Sequence, residues 1–271
     1  MRPRKRQPRP ATRPLRGDER AAGWDHLAAW YDRLVGDEGS DYHRHVVLPA
    51  TLRLLAVQPG ERVLDLCCGQ GVLTRLLLEQ GVGEVLAVDA SPRLIAAAKA
   101  RGPRDPRVRY VVRDARRIGD LADGRCDAAA CVLALQDTEG LDELCAGLAG
   151  ALRRGGRAVL VLMHPCFRIP RQSQWGWDDE KRTQYRRIDR YATPMQIPIA
   201  THPGRDPGEQ TIFHHRPLAE YVNALGRAGL AVVACEELLS HRRSDPGAHS
   251  RGEHRAAQEI PIFLALKAIR G

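Results

Sequence analysis

A short stretch of small residues, Asp65–Gly71, holds the groups best suited to binding a ligand. It reads Asp-Leu-Cys-Cys-Gly-Gln-Gly, between an apolar run that predicts a strand and an amphipathic run that predicts a helix. Glycines at 69 and 71 let the backbone approach a ligand closely. Asp89 and Asp114 end two later predicted strands. A carboxylate at position 89 can bind ribose hydroxyls, and one at position 114 can accept a hydrogen bond from an adenine amino group.

Alternating strands and helices must position these residues. Helix 91–101 starts with Ser91 as its N-cap and Pro92 in its first turn. Apolar strands separated by helices predict right-handed βαβ units and a doubly wound, mostly parallel α/β sheet, in which ligands bind at the carboxyl ends of the strands. The predicted strands are 62–68, 84–90, 108–115, 127–135, 157–163, 230–236 and 260–268, and the helices among them are 72–80, 91–101, 141–152 and 218–228.

The loop itself discriminates between two nucleotide cofactors. A dinucleotide site requires a third glycine so that a helix N-terminus can hold the pyrophosphate, but Leu73 and Thr74 follow Gly71 here. An acid at position 65 also fits a pyrophosphate poorly. S-adenosylmethionine (SAM) has no phosphate and carries cationic sulfonium and ammonium groups, which a carboxylate attracts. The sequence therefore favours SAM over NAD.

On these motifs the chain resembles the class I SAM-dependent methyltransferases, over residues 63–163 and the C-terminal helix and strands. One departure is Cys67, where the family usually has its first glycine. The resemblance implies SAM as cofactor and a seven-stranded sheet whose last strand is antiparallel. It also implies a helical substrate cap, from which Tyr31 or Tyr42 closes over the methionine end of SAM, although ordinary core packing explains both tyrosines equally well. The implied cofactor contacts are Tyr31, Asp65, Cys67, Gly69, Gly71, Asp89, Ala90, Asp114, Ala115, Cys131 and Gln136.

Charge and composition divide the chain further. Seven of its 42 Lys and Arg residues lie within the first 17 positions, which contain no acid, so most of the formal net charge of +9 belongs there. We expect residues 1–20 to form a disordered basic tail, which either contacts nucleic acid or is simply solvated. Residues 21–60 are predicted to form the helical cap, and residues 61–271 the SAM-binding domain.

An insertion at residues 164–215 breaks the alternation and concentrates aromatic and basic side chains. It is predicted to be a lid over a planar or anionic acceptor, the alternative being a flap that only stabilises the sheet. The candidate substrate contacts are Cys166, Arg168, Trp175, Trp177 and Tyr185.

An acceptor that loses a proton benefits from a base. His164, at the end of the fifth strand, is the first candidate, and His214 or His215 the second; each can equally be structural. The Pro-Cys pair ending at Cys166 resembles the nucleophile of cytosine C5-methyltransferases. Because the strand-four motif of those enzymes is missing, we expect Cys166 to line the pocket instead. No metal site is predicted.

The predicted function is SAM-dependent methyl transfer to a small-molecule acceptor by in-line displacement. The alternatives are an RNA or other nucleic-acid methyltransferase and a SAM-binding protein without catalysis. Seven cysteines, an odd number without a CxxC pair, indicate a reducing cytoplasm. No apolar run is long enough to span a membrane. The sequence does not determine the oligomeric state.

Overall fold

The computed structural model describes residues 24–119, 121, 125–200 and 210–271. The predicted basic tail, residues 1–20, lies outside this part of the chain. The strands are β1 (Arg62–Leu66), β2 (Glu84–Asp89), β3 (Val108–Val112), β4 (Cys126–Val132), β5 (Leu152–Met163), β6 (Ser173–Asp178), β7 (Thr183–Ile188), β8 (Met195–Ala200), β9 (Gln210–His215), β10 (Leu230–Leu238) and β11 (Phe263–Arg270). The helices are α1 (Ala28–Val35), α2 (Leu48–Leu55), α3 (Val72–Glu79), α4 (Pro92–Arg101), α5 (Leu141–Ala151), α6 (Leu218–Arg227) and α7 (Ser250–Glu259).

Seven strands form one sheet in the order β3-β2-β1-β4-β5-β11-β10. Neighbouring strands from β3 to β5 pair in parallel, whereas β11 is antiparallel to both β5 and β10. The predicted doubly wound sheet with an inserted antiparallel strand is therefore confirmed. Among the described residues, no helix has both the length and the apolar character needed to cross a membrane.

The core lies on both faces of this sheet because successive strand residues point in opposite directions. Leu64 and Leu86 pack into one apolar cluster with α5 and α6, while Val63 and Val85 pack into the other with α2 and α3. This burial on both faces explains why the strands read as continuous apolar runs. Local capping also follows the sequence, since Ser91 Oγ accepts a hydrogen bond from the Leu94 amide at 3.1 Å.

Two predicted strands extend too far. β3 stops at Val112 because Asp114 caps a 3₁₀ turn, Ala115–Arg117, by accepting a hydrogen bond from the Arg116 amide at 2.9 Å. β4 stops at Val132, after which Leu133 adopts a left-handed backbone with φ of 53°. Both ends therefore turn sharply at the edge of the sheet where a ligand is expected.

The insertion is more regular than its sequence indicates. It contains two antiparallel hairpins, β6–β7 and β8–β9, and a small apolar cluster of Ile169, Ile197 and Phe213. Helix α7, which the sequence analysis missed, is mostly polar and packs against the first hairpin through a stack of Trp177 on His249, with ring centroids 4.0 Å apart. The N-terminal segment, residues 24–60, contains α1, a π-helical turn (His43–Val47) and α2.

Candidate functional site

The loop between β1 and α3 has three residues in the left-handed region: Cys67 (φ 58°), Gly69 (φ 57°) and Gly71 (φ 80°). A side chain at position 71 would bring a Cβ to 3.1 Å from the Ala98 Cβ, so a close approach of α4 requires glycine there. Cys67 adopts the backbone that its glycine counterparts favour, and its thiol is hydrogen-bonded to that of Cys131 on β4. That hydrogen bond and burial raise the pKa of Cys67. The cysteine at position 67 therefore keeps the left-handed backbone conformation that a glycine would adopt there.

Asp89, at the end of β2, is held by backbone donors on both carboxylate oxygens. Oδ2 accepts a hydrogen bond from the Gly69 amide and Oδ1 one from the Ser91 amide, each at 2.9 Å. Burial raises the pKa of Asp89, although these amides and that of Ala90 oppose the shift. Each oxygen keeps a further lone pair. A fixed carboxylate with two free acceptor positions suits a pair of ribose hydroxyls.

Asp65 lies beneath the loop and is only 2% exposed. Its Oδ2 accepts a hydrogen bond from the Thr74 hydroxyl at 2.6 Å, which joins the end of β1 to the first turn of α3. Burial raises the pKa of Asp65 to about 6. Asp65 therefore supports the loop from below, and direct contact with a ligand stays a prediction.

Tyr31 on α1 covers the loop. A Cβ built on Gly69 would lie 3.1 Å from Tyr31 Cε1, so the ring rests directly on the glycine. Burial raises the pKa of the Tyr31 hydroxyl, and so do the nearby carboxylates of Asp89 and Asp137. Tyr42 occupies a different place: its ring packs edge-on against Phe263, with centroids 5.6 Å apart.

Polar contacts that the sequence analysis did not anticipate fasten the N-terminal segment to this loop. Gln70 is 1% exposed and its side-chain amide donates to the Gly36 carbonyl. Arg75 donates to Gln70 Oε1 at 2.9 Å. At the start of α4, Ser91 Oγ donates to the Asp25 carboxylate at 2.7 Å. The predicted cap is therefore tied both to the loop after β1 and to the start of α4.

A 3₁₀ turn at the end of β4, Leu135–Asp137, adds polar groups at the same edge of the sheet. Gln136 is 5% exposed, and its side-chain amide donates to the Leu133 carbonyl. Its Oε1 is buried and has no hydrogen-bond partner among the described residues. Burial raises the pKa of Asp137 to about 8. An unpartnered buried acceptor beside a carboxyl group points to a ligand donor at this position.

Asp137 and Arg216 were missed from the sequence. The position of Asp137, just past a strand end like Asp89, could have indicated it. Arg216 is 7% exposed and donates to the Leu135, Thr138 and Glu139 carbonyls, so it holds the turn from outside. Only the fold brings residue 216 to this turn.

The Asp114 carboxylate forms an ion pair with a neighbouring arginine, Arg116. Its carboxylate accepts from Arg116 Nε at 3.0 Å on both oxygens. Burial acts to raise the pKa of Asp114, but the hydrogen bonds and charge of Arg116 outweigh it, so the pKa is lowered. Ala115, the next residue, is buried beside it. An adenine amino group would share Asp114 with Arg116.

The predicted bases are mostly engaged in other contacts. His164 is fully buried, with Nδ1 accepting from the Cys166 amide at 3.2 Å and Nε2 lying 3.0 Å from Glu237 Oε1. Since Nδ1 accepts, Nε2 carries the proton and donates to Glu237. His215 is 2% exposed and its Nε2 donates to the Tyr191 carbonyl at 2.7 Å. His214 alternates with it on β9 and is partly buried. Catalytic roles for all three stay predictions, which this geometry does not favour for His164 and His215.

The candidate substrate residues separate into two groups. Trp175 and Trp177 are two positions apart on β6 and therefore lie on the same face of the first hairpin. Tyr185 pairs with Gly176 and lies on the other face. Trp177 is occupied by its stack on His249. Trp175 lies under the Arg186 guanidinium, 5.0 Å from the ring centroid. Cys166 is partly buried, and its thiol is hydrogen-bonded to the Tyr191 side chain. The hairpin thus places Trp175 against Arg186, which is hydrogen-bonded to the carbonyl of Phe167 next to Arg168. Trp177 and Tyr185 lie elsewhere.

Comparison with known proteins gives the class of this fold and site. A family model described as a methyltransferase domain matches residues 63–156. The chain is 31% identical to a demethylmenaquinone methyltransferase of Beutenbergia cavernae over 213 residues, 78% of this chain and 79% of that protein. An uncharacterized methyltransferase of Synechocystis sp. is 32% identical over 159 residues, 56% of this chain and 68% of that protein.

Comparison with solved structures gives the same class of protein. The crystal structure of an S-adenosylmethionine dependent methyltransferase from Mesorhizobium loti superposes with a TM-score of 0.66 at 31% identity, covering 82% of this chain and 96% of that chain. The seven-stranded, mostly parallel sheet with one inserted antiparallel strand matches the Rossmann-like methyltransferase fold. The chain belongs to the SAM-dependent methyltransferases. It is an enzyme, and SAM is its cofactor.

Proposed function

We propose that this enzyme transfers the methyl group of SAM to a small-molecule acceptor, bound between the N-terminal segment and the insertion. The observation that carries the proposal is the pairing of Asp89 with the Gly69 amide beneath the Tyr31 ring. This arrangement gives a rigid carboxylate and a bare backbone at one place. The demethylmenaquinone methyltransferase relative acts on a small molecule by its name, which supports the acceptor class.

The residues present fit the cofactor. Asp89 would hold the ribose, and the loop backbone at Gly69 and Gly71 would lie along the adenosyl group. The carboxylates of Asp65 and Asp89 raise the pKa of the Tyr31 hydroxyl through their negative charge, which makes this edge of the sheet electronegative at neutral pH. An electronegative site attracts a ligand with two cationic groups. When bound, SAM supplies a methyl group attached to a positively charged sulfur. The sulfur is a good leaving group for in-line displacement because it departs as a neutral thioether.

The chain then has to align the acceptor and exclude water. Tyr31 covers the loop from the N-terminal side, and we assign water exclusion to it. We assign removal of an acceptor proton to Asp137, because a carboxyl group with a pKa of about 8 exchanges protons near neutral pH. His164 lacks a free acceptor nitrogen for this role, since Nδ1 is occupied by the Cys166 amide.

A nucleic-acid acceptor is the second candidate, favoured by the seven basic residues among the first 17. The two functions differ in their salt dependence, because phosphate contacts release counterions and binding weakens steeply with salt. The experiment is a methylation screen with methyl-labelled SAM against pooled metabolites and against total RNA, at low and high salt. Label entering a metabolite at a salt-independent rate supports the proposal, and label entering only RNA contradicts it.

A further inference from the structure

Arg168 is a partly buried cation whose charge no acid in the described part of the chain balances. It follows β5, and its amide donates to the His164 carbonyl at 2.8 Å. Burial lowers the pKa of Arg168, and the Tyr42 hydroxyl is the group that opposes this shift. Within the described ranges no carboxylate forms an ion pair with it. Desolvating an unpaired charge is costly, so such a residue indicates a ligand of opposite charge.

Other shielded arginines of this chain do have partners. Arg157 pairs with Glu61 at 2.5 Å and Arg101 with Asp32 at 2.5 Å, while Arg216 donates to three carbonyls. The contrast shows that this fold provides counter-charges or carbonyls where arginines are shielded. Among the described residues, the Arg168 side chain has neither an ion pair nor a carbonyl as a partner.

A second arginine is anchored to the residue that precedes Arg168. Arg186 on β7 is fixed by donating to the Phe167 carbonyl at 2.8 Å and to Ser173 Oγ at 2.7 Å. Burial lowers the pKa of Arg186, and the charge of Arg168 lowers it further. Two like charges held together are unfavourable in the free protein. An anion between them would remove the repulsion and accept their hydrogen bonds.

The pair is also well placed for an acceptor. Arg168 follows the end of β5, and the Arg186 guanidinium is hydrogen-bonded to the carbonyl of Phe167, the residue just before it. The carboxyl ends of parallel strands share one edge of the sheet, so this is the edge that carries Asp89 and the cofactor loop. Planar guanidinium groups bind carboxylate and phosphate oxygens through paired hydrogen bonds.

We infer that Arg168 and Arg186 form an oxyanion subsite, which binds a carboxylate or phosphate group of the methyl acceptor. The inference rests on the proposed function only for the identity of the ligand as acceptor; anion binding itself does not depend on methyl transfer. If the subsite binds the acceptor, the methyl acceptor is a small molecule that carries an anionic oxygen group at some distance from the atom that is methylated.

The test uses the full chain and three aromatic probes: benzoate, phenyl phosphate and the neutral benzamide. Affinities are measured by calorimetry with and without S-adenosylhomocysteine, the demethylated product. We expect one of the two anions to bind and benzamide to bind at least about tenfold more weakly, as the loss of a charge-assisted hydrogen bond predicts. Whichever anion binds more tightly identifies the group. Absence of binding by both anions, or equal binding of benzamide, overturns the inference.

Two variants locate the site. Arg168→Met keeps the apolar stem and removes the charge, and we expect roughly tenfold weaker anion binding, with Arg168→Lys intermediate. Arg190→Met removes the same charge from an exposed position of the insertion and should leave binding unchanged. Unchanged anion affinity in Arg168→Met, with an unfolding midpoint like that of the wild type, overturns the assignment. Normal anion binding without S-adenosylhomocysteine binding would instead contradict the proposed function alone.

Discussion

The Gly69 amide donates a hydrogen bond to the Asp89 carboxylate at 2.9 Å, so the cofactor loop after β1 is fixed to the end of the neighbouring strand β2. The other oxygen of the same carboxylate accepts from the Ser91 amide at 2.9 Å. One side chain thereby positions both the loop and the start of α4. Ligand affinity and loop geometry should therefore respond together to any change at Asp89.

Asp89→Asn is expected to weaken S-adenosylhomocysteine binding by roughly 10- to 100-fold, the equivalent of about 1.5–3 kcal/mol for a hydrogen bond to a charged group. The physical reason is that two backbone amides aim at the two oxygens, whereas an asparagine offers one oxygen and one NH₂ group. Calorimetry measures the affinity. Asp142→Asn is the control, because Asp142 forms an exposed ion pair with Arg227. Equal affinities in both variants would mean that the ribose lies elsewhere.

Cys67 should tolerate glycine and reject a β-branched residue. With φ of 58°, it occupies a conformation that costs roughly 1–2 kcal/mol for residues other than glycine. Cys67→Gly removes this cost, but it makes the unfolded chain more flexible and loses the contact with Cys131. We therefore expect a change in the free energy of unfolding within about 1 kcal/mol. Cys67→Val should lose more than about 2 kcal/mol, because branching at Cβ worsens the same backbone. Urea unfolding compares the two, and a more stable valine variant would contradict the assigned loop geometry.

His43 should make the protein sensitive to mild acid. It is 8% exposed, and burial lowers its pKa to about 4 from the usual 6.5. Above pH 6.5 both the folded and unfolded chains keep His43 neutral. As the pH falls from about 6.5 to about 4, only the unfolded chain binds the proton, so the free energy of unfolding should fall by up to about 3 kcal/mol.

Urea unfolding at pH 7.5, 5.5 and 4.5 measures this effect. His43→Gln should flatten the dependence, while substitution of the exposed His26 by Gln should leave it as in the wild type. An identical acid response in wild type and His43→Gln would assign the sensitivity to other groups.

Asp137 should make the protein less stable as the pH rises above neutral. Its pKa is raised from 3.8 to about 8, so between these values the folded chain binds a proton that the unfolded chain does not. The free energy of unfolding should consequently decrease as the pH rises from about 7.5 to about 9, a range in which His43 is almost entirely neutral in both states. Asp137→Asn should remove that decrease and retain S-adenosylhomocysteine affinity. A wild-type slope persisting in Asp137→Asn would exclude a carboxyl group of raised pKa at this position.

Arg216→Met should destabilise the turn that carries Gln136 and Asp137. Arg216 donates to the Leu135, Thr138 and Glu139 carbonyls, and removing it leaves buried acceptors unsatisfied, at an expected cost of about 2–4 kcal/mol. Arg227→Met, which breaks an exposed ion pair, should cost less than about 1 kcal/mol. The free energies of unfolding are compared in urea. A similar small cost for both variants would show that the turn is stable without Arg216.

The sequence alone determined the alternation of strands and helices, and with it the doubly wound sheet. The central strands are buried on both faces, so most of their residues are apolar and the pattern is clear, as at Val63 and Leu64. The loop glycines and Asp89 were also predictable, because a ligand at a strand end requires small residues and a carboxylate at fixed places in the chain. Ser91 followed from the preference of helix N-termini for short polar side chains.

Tertiary structure decided how distant segments meet. Gln70 joins the N-terminal segment to the loop after β1, and Asp25 joins it to the start of α4. Arg216 reaches a turn almost eighty positions earlier, and none of these contacts leaves a periodic pattern in the sequence. The same holds for His164: its position at a strand end suggested a base, but burial against Glu237 and the Cys166 amide occupies both ring nitrogens. Periodicity records which side of an element is buried, whereas the partner of each polar group depends on how the elements pack together.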